Sequence, residues 1–188
     1  MSNIWSQISQ TVATEFSDID DVPQATRLVL RLGLAALLGG LLGWQREVEG
    51  KDAGLRTHML VSLGAALFVL VPAEAGRGPD ELSRVVQGIV SGIGFLGAGA
   101  VLKMGHEGRI HGLTTAATIW ATAAVGMSAG LGREGTAILA TTFIILVLVW
   151  LRGLEVRKAN NASRLIVSPN EGLEPSFEPG RKIDPGPP

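Results

Sequence analysis

Val85–Val86–Gln87–Gly88–Ile89–Val90–Ser91–Gly92–Ile93–Gly94–Phe95–Leu96–Gly97–Ala98–Gly99–Ala100–Val101–Leu102 is the stretch on which the fold turns. No charge interrupts it between Arg84 and Lys103. At 1.5 Å per residue it is long enough to cross roughly 30 Å of hydrocarbon. In water so many glycines make a poor helix. In lipid they are what close backbone packing between helices looks like, so Gly88, Gly92, Gly94, Gly97 and Gly99 are read as packing positions. The segment that follows, Leu113 to Gly130, repeats Thr114, Thr118, Thr122, Gly126 and Gly130 at every fourth residue, one face of a helix. The pair predicts an all-α membrane protein with these two segments at the centre of the bundle.

Composition agrees. The 188 residues are 46% hydrophobic and 18% charged, with 25 Gly and no Cys, and the net charge of −1 is too balanced for a nucleic-acid binder. Without cysteine there are no disulfides, thiolate nucleophiles or cysteine-based zinc sites. One membrane domain with soluble ends is the simplest organisation.

In chain order, residues 1–25 read as an N-terminal interfacial or periplasmic segment. It has no basic start and no apolar run, so it is not a signal peptide. Ile4, Ile8, Val12 and Phe16 recur every fourth residue, with Trp5 alongside, as in a short helix lying in the interface. Asp18, Asp20 and Asp21 before Pro23 read as a solvated helix start, with a weak external cation site as the sharper alternative. The membrane domain is expected at 26–155, with five transmembrane helices at about 26–44, 57–73, 85–102, 113–130 and 136–151. The fifth is rich in Ile, Leu and Val and reads as lipid-facing. Residues 156–188 are Asn-, Pro- and Gly-rich and read as a disordered cytoplasmic tail with a short strand at Arg164–Val167. Arg46, Lys51, Arg56, Lys103, Arg109 and the basic residues after Trp150 outnumber those on the other side. The excess of positive charge inside therefore favours N-out, C-in, with Trp44 and Trp150 at the inner interface.

A shift of 58 positions lays Glu49–Gly50–Lys51–Asp52–Ala53–Gly54–Leu55–Arg56–Thr57 on Glu107–Gly108–Arg109–Ile110–His111–Gly112–Leu113–Thr114–Thr115. The same register pairs Leu38–Gly39 with Leu96–Gly97. The first four spans are thus expected as two hairpins related by a parallel repeat, with both inner loops on one face. Gly-Leu-x-Thr at the two helix starts has a plain reading, threonine capping of first-turn amides. The sharper reading is an anion such as a lipid phosphate held by two helix N-termini with Lys51, Arg56 and Arg109. The candidate functional loop therefore comprises Arg46, Glu47, Glu49, Lys51, Arg56, Thr57, His58, Arg109, Thr114 and Thr115. Within it Arg56 is the first choice, paired with Glu47 or Glu49, because a cation at the start of a span is costly unless paired. His58 beside it could sense cytoplasmic pH. Trp120, far from either interface, is expected in the bundle core.

Three long motifs carry a resemblance. Gly43–Trp44–Gln45–Arg46–Glu47 with Ala53–Gly54–Leu55–Arg56–Thr57–His58–Met59–Leu60–Val61–Ser62–Leu63–Gly64–Ala65–Ala66–Leu67 resembles the MgtC/SapB membrane family. So do Val90–Ser91–Gly92–Ile93–Gly94–Phe95–Leu96–Gly97–Ala98–Gly99 and Gly112–Leu113–Thr114–Thr115–Ala116–Ala117–Thr118–Ile119–Trp120 continuing to Met127. The likeness covers about Arg27 to Glu155. It implies a multi-pass bacterial inner-membrane protein linked to growth at low magnesium and, in some pathogens, to virulence and survival inside phagocytes. Some members are held to restrain the ATP synthase. Many carry a folded C-terminal cytoplasmic domain, for which the tail here is too short and too proline-rich.

Two functions compete. One is a non-catalytic regulator that binds other membrane proteins, such as the ATP synthase or a transport ATPase, through its small-residue helices. The other is a divalent-cation (magnesium) transporter or channel. Magnesium usually relies on carboxylates, and an intramembrane carboxylate marks most ion paths. No predicted span contains Asp or Glu, which favours the regulator. No enzyme is expected: His58, His106 and His111 lack a Glu partner at zinc-ligand spacing, and Ser91 lacks the nucleophile frame. No metal site or cofactor is assigned. The expected partners are the lipid bilayer and other membrane proteins, with homo-oligomerisation left open.

Overall fold

The computed structural model describes residues 3–15, 17, 21–102 and 112–166. Six helices make up the described chain: α1 (Ile4–Glu15), α2 (Val22–Val48), α3 (Leu55–Glu74), α4 (Pro79–Leu102), α5 (Leu113–Gly130) and α6 (Glu134–Ile166). There is no strand among the described residues. Residues 164–166 belong to α6, so the expected strand at Arg164–Val167 is replaced there by helix, and residues 156–166 are helical rather than tail. The chain divides into two compact units, 1–148 and 149–188, and the helical bundle lies in the first.

Local chemistry sets the boundaries. Asp21 caps α2 by accepting from the Gln24 amide at 2.7 Å, with Pro23 in the first turn where a missing N–H costs nothing. Helix α2 ends in a Schellman turn: Lys51 N donates to Arg46 O and Gly50 N to Glu47 O. That turn needs a left-handed residue, and Gly50 supplies it at φ 67°. Gly76 and Gly132 end α3 and α5 in the same way.

Helix α2, helix α3 and residues Pro79–Val101 of α4 are each long and apolar enough to cross a membrane, and Glu134–Trp150 of α6 is a shorter apolar stretch. Helix α5 is diluted by threonine, but the polarity is internally satisfied. Thr118 Oγ1 donates to Thr114 O at 2.7 Å and Thr122 Oγ1 to Thr118 O at 2.8 Å.

Close approach happens where glycine removes the obstacle. A Cβ on Gly126 would collide with the Ser62 carbonyl, and one on Gly130 with the Ala66 carbonyl, so α5 lies backbone to backbone on α3. A Cβ on Gly39 would stand 2.7 Å from His58 O, and one on Gly43 2.7 Å from Leu55 Cα, which seats α2 on the same helix. Thr118, Thr122, Gly126 and Gly130 are all buried, as the four-residue stripe predicts, while Thr114 is exposed. Ala35, Leu38 and Leu42 of α2, Ala66 of α3, Val125 and Ala129 of α5, and Ala137 of α6 form the apolar core.

Helix α4 is not at the centre. Added Cβ atoms on Gly88, Gly92, Gly94 and Gly99 meet nothing within 4 Å; only Gly97 has a neighbour, the Ala116 methyl at 3.6 Å. Helices α2, α3 and α5 occupy the middle, and α4 flanks them against α5 and α3. Trp120, expected in the core, is 51% exposed and lines an outer groove with Ile93, Gly97 and Ala116. Helix α6 is two-sided: Ala137 and Thr141 are buried, while Ile138, Leu139 and Phe143 face outward.

Candidate functional site

The C-terminal end of α2 and the N-terminal ends of α3 and α5 converge on a buried polar cluster. The last turn of α2 carries Gln45, Arg46, Glu47 and Glu49 within one Schellman turn, so their side chains fan out around the helix end. Arg46 points inward. Its Nη1 donates to Glu49 Oε2 at 2.8 Å and its Nη2 to Thr115 Oγ1 of α5 at 3.4 Å. Glu49 also accepts from Gln45 Nε2 at 2.6 Å. The pair is almost dry, with Arg46 2% and Glu49 7% exposed. Taking two ions out of water costs several kcal/mol each, a cost offset by mutual attraction and the added hydrogen bonds.

Glu47 turns the other way and does a different job. Its Oε2 accepts from the Leu55 amide at 2.9 Å. Leu55 opens α3, and Gly54 before it has no side chain to cap the helix. The carboxylate therefore satisfies a first-turn donor and places negative charge at the positive end of the helix dipole. Gly112 likewise precedes α5 without a side-chain cap, so threonine capping is found at neither helix start.

His58 is fully buried one turn into α3. Its Nδ1 lies 3.0 Å from Gly54 O, a contact that requires the proton on Nδ1 and leaves Nε2 as the acceptor. Nε2 and Ser62 Oγ are both buried without a hydrogen-bond partner among the described residues. His58 is thus a packed residue between helices, not one at the aqueous boundary.

Of the residues the sequence singles out, the fold brings Arg46, Glu49 and Thr115 together and sets Glu47 and His58 around the Gly54 turn. Lys51, Arg56, Thr57 and Thr114 are exposed. Arg56 has no ion pair among the described residues; Glu49 is taken by Arg46 and Glu47 by the helix cap. Arg109 lies outside the described residues. The signal that marks Arg46 instead is its i,i+3 spacing to Glu49 at the end of an apolar run. Sequence reasoning also passed over an ion pair at the other end of the bundle. There Arg31 Nη1 donates to Glu74 Oε1 at 3.1 Å, with Glu134 Oε1 4.0 Å from Arg31 Nε, joining α2, α3 and α6. Among the described residues no group of three or more His, Cys, Asp or Glu could hold a metal ion.

The sequence pattern that defines the MgtC family matches residues 32–157. Protein SrpB of Synechococcus elongatus is 43% identical over 139 residues, covering 68% of this chain and 76% of the relative. Protein MgtC of Brucella abortus is 49% identical over 120 residues, 64% of this chain and 49% of the relative. Protein MgtC of Salmonella typhimurium is 44% identical over 124 residues, 66% and 52%. The chain thus spans about half the length of the MgtC relatives and three quarters of SrpB. No solved structure matches. The matched segment runs from α2 into α6 and contains the whole polar cluster, so this membrane protein belongs to the MgtC family.

Proposed function

We infer that the chain is a non-catalytic regulator of the bacterial inner membrane. In this reading it crosses five times through α2 to α6, N-out and C-in, with the first four spans as two parallel-repeat hairpins. It serves adaptation to low magnesium, and virulence or intracellular survival where the host is a pathogen, by binding other membrane complexes such as the ATP synthase. The observation that carries this reading is where the buried charge goes. Arg46 and Glu49 are spent on each other and on Thr115 at the bundle's inner end, tying α2 to α5. Ions that guide a cation through a membrane line a path instead. The middle of the bundle is closed by backbone contact at Gly39, Gly126 and Gly130, and the apolar grooves open outward on α3, α4 and α5, where another helix could lie. The repeat gains support from packing in register: Gly39 abuts His58 and, 58 positions on, Gly97 abuts Ala116.

The test is ATP-driven acidification of inverted inner-membrane vesicles with and without the chain, paired with co-purification from mild detergent. A regulator lowers acidification and retains a membrane complex. Unchanged acidification with nothing retained removes the reading.

A further inference from the structure

Helix α1 (Ile4–Glu15) stands apart from the bundle: all its residues are exposed, and among the described residues no other helix packs against it. Its chemistry is two-sided all the same. At about 100° per residue, Ile4, Ile8, Val12 and Trp5 fall within one arc of about 100°, while Ser6, Gln7, Gln10 and Thr14 lie outside it. Four large apolar side chains are thus presented together on an exposed face.

What lies within their reach is the bilayer. Val22 opens α2, a helix long and apolar enough to cross a membrane, and only residues 16–21 separate it from Glu15. That tether extends to at most about 25 Å, so α1 is held beside the membrane at high effective concentration. Its hydroxyls suit a lipid setting as well. Ser9 Oγ donates to Ser6 O at 3.0 Å, Thr11 Oγ1 to Gln7 O at 2.8 Å and Thr14 Oγ1 to Gln10 O at 2.9 Å. Ser9 and Thr11 border the apolar arc, and a hydroxyl already bonded to its own backbone enters less polar surroundings without leaving a donor unmade.

Charge then separates one kind of lipid surface from another. Interfacial helices drawn to anionic lipid carry Lys and Arg on their polar face. Here no Lys or Arg occurs between Met1 and Thr26, and the charges present are Glu15, Asp18, Asp20 and Asp21. Anionic headgroups repel such a segment rather than recruit it. With a polar face of Ser, Thr and Gln, attachment depends on how readily the apolar face enters between lipids.

We propose that α1 is a lipid-packing sensor: it lies in the interface of loosely packed bilayers through Ile4, Trp5, Ile8 and Val12, leaves closely packed ones, and gains nothing from anionic headgroups. Bulky Ile and Trp side chains need gaps between headgroups, and unsaturated acyl chains supply them. The inference rests on α2 crossing the bilayer, and not on what the bundle regulates.

The chain has no cysteine, so one introduced thiol can carry the polarity-sensitive fluorophore nitrobenzoxadiazole. Full-length Ile8→Cys, Gln10→Cys and Leu37→Cys proteins are labelled and placed in three kinds of liposome. These are dioleoyl-phosphatidylcholine, the same with part replaced by dioleoyl-phosphatidylglycerol, and palmitoyl-oleoyl-phosphatidylcholine with cholesterol. The label at position 8 is expected to be about threefold brighter, and blue-shifted, in the dioleoyl bilayer relative to the cholesterol-packed one. It should be no brighter with phosphatidylglycerol, and the label at position 10 should report water throughout. Adding Ile4→Ser and Trp5→Ser to the Ile8→Cys protein should abolish the rise and leave the melting temperature of the bundle unchanged. Equal brightness in loose and tight bilayers, brightness that needs phosphatidylglycerol, or brightness indifferent to the two serines overturns the proposal. So does a label at position 8 that brightens only in native membranes, where a protein partner covers the face. Leu37, exposed midway along α2, reads the bilayer separately. With position 37 in hydrocarbon and position 8 in water, the sensor alone fails; with both in water, the membrane placement of α2 fails and the proposal falls with it.

Discussion

Arg46 and Glu49 meet at 2.8 Å in a setting nearly free of water, and the same guanidinium reaches Thr115 on α5, 69 residues away. This one side chain joins α2 to α5. Arg46→Ala leaves the Glu49 charge buried without its counterion and is expected to destabilise by about 3–5 kcal/mol. The double variant Arg46→Met, Glu49→Leu removes both charges and should recover most of that loss. Thermal melting in detergent, followed by circular dichroism, measures both; a double variant as unstable as the single one contradicts the pairing.

Glycine substitutions should divide by location. A methyl at Gly126 meets the Ser62 backbone, which cannot yield as a side-chain tip can, so Gly126→Ala should cost about 1–3 kcal/mol. Gly33 in α2 has nothing within 4 Å, and Gly33→Ala should be neutral or stabilising by up to about 1 kcal/mol. Equal effects at the two positions would mean that α3 and α5 are not in backbone contact.

Glu47 acts as a cap contributed from across a turn. Glu47→Ala should raise amide hydrogen exchange over the first turn of α3, from Leu55 to Met59, and cost about 1 kcal/mol. Glu47→Gln keeps an acceptor oxygen and should retain much of the protection. Exchange rates unaffected by either change would remove the cap.

At the opposite end, Arg31 is partly solvated beside Glu74 and Glu134, so Arg31→Ala should cost no more than about 1 kcal/mol. The loss should shrink further in high salt, because exposed pairs are screened. A melting-temperature series against salt concentration checks it, and a large, salt-independent loss would mark Arg31 as structural.

Much of this was legible in the sequence for physical reasons. Helix α5 begins and ends where it was read, because Gly112 and the Gly130–Leu131–Gly132 turn punctuate both ends. Helices α2, α3 and α4 run past the limits that charge and, in α3, Pro72 suggest; Pro72 lies inside α3. Arg46, Glu74 and Glu81 in fact belong to helical turns, capped or ion-paired. The glycine run of α4 correctly signalled an absence of side-chain bulk but could not say which helix exploits it, and within the chain little does. Arg56 reads as a cation at the start of a span that needs Glu47 or Glu49 as its partner. The fold turns it outward and buries Arg46, a choice set by helix phase around the Gly50 turn that only three-dimensional packing fixes. Trp120 was misplaced for a related reason: depth along a helix can be counted from sequence, but facing depends on which side α4 leaves open.

The most direct measurement is magnesium entry into liposomes holding only this protein, read with a trapped magnesium-sensitive dye under an imposed gradient. A bundle whose buried ions bind each other should give uptake no faster than protein-free liposomes. Uptake that saturates with magnesium and is abolished by Arg46→Ala would contradict a regulatory role and make the polar cluster part of an ion path.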